Sequence, residues 1–132
     1  MRNLFLPALV LFSFIALHPQ QGSAQSGARA AVPPTEISAD LGTCSALITV
    51  TGTDTKPVYN AKITTRIRYG MMGSKKIDLE TFTSANGQVK IVGLPEVPKK
   101  TVYIYISKDD KMETVEFKPD VHCRATFDVQ LK

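Results

Sequence analysis

From about Asp40 to the C-terminus, apolar and polar residues alternate with a period of two, the spacing of strands that bury one face. Ala46, Ile48 and Val50 share a face, and Cys44 falls on the same parity. Between Ala61 and Tyr69, the residues Ile63, Ile67 and Tyr69 point one way, and Lys62, Thr64, Arg66 and Arg68 the other. Ile77, Leu79 and Thr81 then oppose Asp78, Glu80 and Phe82. Val89 and Ile91 mark a short strand that Gly93-Leu94-Pro95 ends. Val102, Ile104 and Ile106 alternate with Tyr103 and Tyr105, and Val115 and Phe117 mark a sixth strand. The last run places Ala125, Phe127, Val129 and Leu131 inward. Turn signals separate these runs: Thr53 to Pro57, Gly70 to Lys76, Asn86-Gly87, Lys108 to Lys111, and Pro119-Asp120. Asn86-Gly87 reads as a hairpin turn, because both residues tolerate positive φ. The pattern predicts an all-β chain, a sandwich of seven short strands. No stretch after the leader shows a sustained helical period.

The N-terminus has a different character. Arg2 precedes an apolar run, Leu4 to Leu17, which is shorter than the roughly 20 residues that span a bilayer. Gly22-Ser23-Ala24 then supplies small residues at a cleavage position. This reads as a secretory signal peptide, residues 1–24, cut after Ala24, which leaves no transmembrane anchor. Residues 25–39 read as a flexible leader, small and polar with a proline pair, and 40–132 as the folded domain. The expected localisation is secreted or periplasmic, and the domain is expected to be a monomer.

Export changes the reading of the cysteines. Cys44 and Cys123 are the only two, and an even count in an exported chain favours a disulfide. Both share the inward parity of their strands, and each stands at its strand's start. Were the first and last strands parallel neighbours, those starts would meet. A redox pair is usually spaced C-x-x-C, and a metal site wants more ligands. The net charge of +4 is mild and falls by one with Arg2, so it demands no nucleic-acid partner.

The stretch Thr83 to Pro95, "TSANGQVKIVGLP", resembles the "T-D-x-x-G-x-x-x-I-x-G-L-P" segment of bacterial carboxypeptidase regulatory-like domains. The earlier "VTGTDTKPVYNAKI" is similar to that family's "V-x-D-x-x-G-K-P-V-x-G-A-x-V" segment. Together the likeness covers about Ala46 to Leu131. It implies an Ig-like or transthyretin-like β-sandwich and an accessory or binding module of envelope proteins. Three departures stand out: Thr55 and Asn60 occupy positions where that pattern has Gly, and Lys108 to Lys111 lacks the usual Gly.

Candidate chemistry is sparse. After cleavage His122 is the one histidine, and no nucleophile motif accompanies it. Asp109-Asp110 and the pair Asp78 and Glu80 read as solvated acids, so no catalytic residue, cofactor or metal is assigned. Lys62, Arg66 and Arg68 form a basic stripe suited to anionic glycans or lipid head groups, unless Asp78 and Glu80 on a neighbouring strand cancel it. The loop "GMMGSKK" places Met71 and Met72 between glycines and beside Lys75 and Lys76. It is either a contact tip for a partner or membrane, or a loop that packs its methionines onto the end of the sandwich. Methionine is a copper(I) ligand, but the histidines that usually accompany such sites are missing here. The expected function is therefore non-enzymatic binding in the cell envelope, to an unknown protein or glycan. The alternatives are a small-ligand or metal carrier, and an enzyme with an unrecognised site.

Overall fold

A computed structural model describes residues 32–96 and 100–132. The expected signal peptide and the first residues of the leader lie outside that range. The described residues form eight strands: β1 (Thr35–Ser38), β2 (Cys44–Thr51), β3 (Lys62–Tyr69), β4 (Lys75–Phe82), β5 (Gln88–Leu94), β6 (Val102–Lys108), β7 (Lys111–Phe117) and β8 (Arg124–Gln130). They make two four-stranded sheets, ordered β1-β5-β2-β8 and β4-β3-β6-β7. The described residues thus form an all-β sandwich.

The core follows from the alternation. Cys44, Ala46, Ile48 and Val50 of β2 are all buried. Val89 and Ile91 of β5 join them from the same sheet. Ile63 and Ile67 of β3, Ile104 and Ile106 of β6 and Phe117 of β7 meet them from the other. Each such aliphatic or aromatic side chain stabilises the fold by about 1.5–3 kcal/mol when fully buried. Thr65 keeps the inward parity of β3 because its hydroxyl donates to the Tyr103 carbonyl, 2.8 Å away.

The strand count corrects the expected seven. The extra strand, β1, lies in the stretch read as leader, and pairs in parallel with β5, Ile37 opposite Ile91. Only one of its four residues is strongly apolar, and a four-residue run gives periodicity too little to work on.

The Asn86-Gly87 hairpin is also corrected. A turn is present: the Gly87 amide donates to the Ser84 carbonyl at 2.8 Å, and Gly87 has φ 69°. The strands on either side of it do not pair, however. β4 lies in one sheet beside β3, and β5 lies in the other between β1 and β2. The turn carries the chain from sheet to sheet, which a local turn motif does not reveal. Thr83 ties this crossover to the earlier one between β2 and β3. Its buried hydroxyl donates to the Val58 carbonyl (2.6 Å) and accepts from the Ala61 amide (2.8 Å).

A bulge sets the end of β5. Cys44 opposes Leu94 while Ala46 opposes Ile91, so β5 carries one extra residue there. Gly93 takes φ 67° inside it, and a Cβ there would come within 2.7 Å of the Asp40 amide nitrogen. The shift turns Leu94 inward, where it is fully buried.

Candidate functional site

The loop between β3 and β4 is a tip at one end of the second sheet. Gly70 takes φ 78° and ends β3. Two overlapping tight turns follow over Met71–Gly73, kinked at Met72 and closed by amide donations from Gly73 to the Gly70 carbonyl and from Ser74 to the Met71 carbonyl, both 3.2 Å. Met71 is 86% exposed and Met72 89%. The methionines therefore do not fold back onto the sandwich end. Met72 also holds φ 55°, the left-handed region, which costs a side-chain-bearing residue about 1–2 kcal/mol. The Lys100 ammonium, from the approach to β6, donates to the Met72 carbonyl at 3.4 Å.

Behind the tip lies the outer face of the second sheet, where the antiparallel register of β3 and β4 decides the fate of the basic stripe. Arg66 faces Asp78, and its guanidinium donates twice to that carboxylate: Nε to Oδ1 at 2.6 Å and Nη2 to Oδ2 at 3.1 Å. The hydrogen bonds and charge of this pair hold Asp78 below the usual carboxylate range, with a smaller contribution from Lys76, and raise Arg66 further. Lys62 pairs with Glu80 at 3.3 Å. Both ion pairs are solvent-exposed, so each is worth little in stability. Their consequence is electrostatic: the middle of the face is neutral.

The end nearest the tip is not. On this face Arg68 stands directly across from Lys76; Lys75, one residue earlier, has the opposite parity and stands across from Tyr69 at the strand end. Among the described residues, Arg68, Lys75, Lys76 and Lys100 make no ion pair. Arg68 and Lys100 also line a depression of about 280 Å³ with Arg66, Tyr103 and Tyr105. A second, about 420 Å³, lies on the other side of Arg66, among Thr64, Asp78, Glu80 and Tyr105. The structure thus gathers Met71, Met72, Lys75, Lys76 and Arg68 at one end, and separates Lys62 and Arg66 from them by neutralisation. Sequence reasoning missed Lys100. It lies far along the chain from the tip, and no local pattern links the two.

The remaining candidates are spread elsewhere. β2 and β8 run parallel and adjacent, with Ser45 opposite Arg124, so the starts of the two strands meet. Cys44 and Cys123 form a disulfide there, their Cα atoms 4.6 Å apart. The Glu96 carboxylate lies beside both sulfurs and accepts from the Thr43 hydroxyl. With both sulfurs spent in the bond, this group offers no metal site. His122 is exposed, its amide held by the Lys118 carbonyl at 3.0 Å, and Asp109 and Asp110 occupy an exposed turn.

No family model matches the chain, and no curated protein matches it. Among solved structures the chain is similar to catechol 1,2-dioxygenase from Acinetobacter sp. ADP1 inhibited by bound mercury, with TM-score 0.48 and 14% identity over 76% of this chain and 59% of that one. It is also similar to 3-chlorocatechol 1,2-dioxygenase from Rhodococcus opacus 1CP, with TM-score 0.44 and 8% identity over 74% of this chain and 64% of that one. The chain spans less than two thirds of either enzyme. Likeness at this level carries nothing about activity over to this chain.

Proposed function

We propose that the protein is an exported binding module of the cell envelope, with no reaction of its own, and that the Met71–Met72 tip is its contact point. The signal-peptide pattern supports the location, and the resemblance to carboxypeptidase regulatory-like domains supports a binding role. The observation that carries the reading is the exposure of two adjacent methionines, 86% and 89%, on a turn that folding alone gives no reason to make apolar.

Replacing Met71→Ser together with Met72→Ser tests it. Exposed substitutions usually change stability by less than about 0.5 kcal/mol, so the melting temperature should hardly move. Co-sedimentation of the purified protein with the envelope fraction of its own organism should fall sharply. Unchanged co-sedimentation by a folded double variant would move the contact surface elsewhere. A drop of several degrees in melting temperature would show that the methionines serve the fold.

A further inference from the structure

The geometry points to the partner of this tip: the surface of an anionic phospholipid bilayer. The inference rests on the reading of Met71 and Met72 as the contact point, and names what they contact. Among the described residues these are the two most exposed large apolar side chains, the next being Met112 at 66%. Arg68, Lys75 and Lys100 lie against the tip, within 3.6 Å of where a Cβ on Gly70 or Gly73 would stand, Lys76 stands across from Arg68, and among the described residues none of the four is paired with an acid. Placing Arg68 directly across from Lys76 is unfavourable for the folded sheet, since like charges opposite one another repel. On the same face, two and six strand positions further from the tip, Arg66 and Lys62 are given acidic partners. The face is therefore divided into a neutral middle and a cationic, apolar end.

That division suits a partner that is both anionic and fluid. Flexible methionines define no fixed shape for a rigid pocket to match, but they fit the boundary between head groups and acyl chains. Long basic side chains around them reach back to the phosphates. A neutral glycan would give the cations nothing to meet, and a purely electrostatic ligand would give the methionines nothing.

The test uses purified protein and protein-free vesicles, of phosphatidylglycerol mixed with phosphatidylcholine, or of phosphatidylcholine alone. The protein should sediment with the anionic vesicles and not with the neutral ones. Binding should collapse near 1 M salt, where the screening length falls to about 3 Å. Lys75→Gln with Lys76→Gln should weaken it by roughly five-fold per cation removed. Met71→Ser with Met72→Ser should weaken it also, at an unchanged melting temperature, whereas Lys62→Gln should leave it nearly intact. Inorganic phosphate at matched ionic strength should compete no better than chloride; if it displaces the protein, the site is one for free anions and the bilayer inference falls. No preference for anionic vesicles in the unmodified protein also overturns it. Should methionine-dependent co-sedimentation with the envelope fraction persist in that case, the contact tip stands and its partner is a protein or glycan. If neither binding depends on the methionines, both readings fall.

Discussion

Five residues other than glycine hold a positive φ among those described: Asp40, Thr55, Asn60, Met72 and Asp109. Asp and Asn reach the left-handed region at modest cost, because their short polar side chains bond locally. Thr55 is different, since a β-branched residue is a genuine outlier there. Its φ of 63° lies in the turn that leaves β2, where the Thr55 amide donates to the Gly52 carbonyl (3.0 Å) and the Lys56 amide to Asp54 Oδ1 (3.1 Å). This is one of the positions at which the resembled family pattern has Gly. Relief of the left-handed conformation returns about 1–2 kcal/mol, while glycine adds about 0.5–1 kcal/mol of chain entropy to be lost on folding. Thr55→Gly should therefore stabilise the protein by up to about 1 kcal/mol, read as a higher urea midpoint at unchanged slope. A lower midpoint would mean that the Thr55 hydroxyl, which donates to the Asp54 carbonyl, matters more than the backbone strain.

At the scale of the element, β1 is the least expected piece of the molecule. It covers one edge of β5, and Ile37 packs against the core from a partly buried position. Because it is only partly buried, Ile37→Ala should cost about 1–2 kcal/mol, less than the 2–5 kcal/mol of a fully buried isoleucine. Equilibrium unfolding in urea measures this, and a shift within error would return the segment to the status of a loose leader. The other seven strands were legible because each buries one face and so writes its pairing parity into the sequence. Two kinds of information were not written there. Sheet membership is one: Thr83 and Gly87 hold a crossover whose local chemistry looks like that of a hairpin, and only the partners of β4 and β5 distinguish the two. Side-chain exposure in a loop is the other. Met71 and Met72 have no alternation to assign them a face, so the sequence left contact and packing open, and the kinked turns of the tip leave both exposed. The basic stripe falls between these cases. Its cancellation by Asp78 and Glu80 was foreseeable once β3 and β4 were assumed to pair, but the cluster of Arg68 with Lys100 needed the approach of a third strand.

For the molecule as a whole, the decisive pairing is that of β2 with β8. It runs in parallel from Ser45 opposite Arg124 to Thr51 opposite Gln130, and puts the C-terminal strand at the edge of the first sheet. Such a pairing is entropically expensive, because nearly all of the folded chain lies between its two strands. The disulfide joins the strands at their common starting end, across a separation of 79 residues. In the chain-entropy model a loop of that length is worth about 4–5 kcal/mol through the unfolded state, a large share of the 5–15 kcal/mol by which domains are usually stable. Two outcomes are expected. Denatured, unreduced protein should show no titratable thiol. Reduction should then lower the melting temperature by on the order of 20 °C, since each kcal/mol moves a domain of this size by about 4–8 °C. Cys44→Ala with Cys123→Ala should reproduce most of that loss, apart from the small cost of removing the sulfur of buried Cys44. A reduced protein that melts where the oxidised one does would mean that the β2–β8 pairing is already secured by the core, and that the bridge contributes nothing measurable. Two free thiols in the unreduced protein would overturn the bridge itself and reopen the group of Cys44, Glu96 and Cys123 as a metal or redox site.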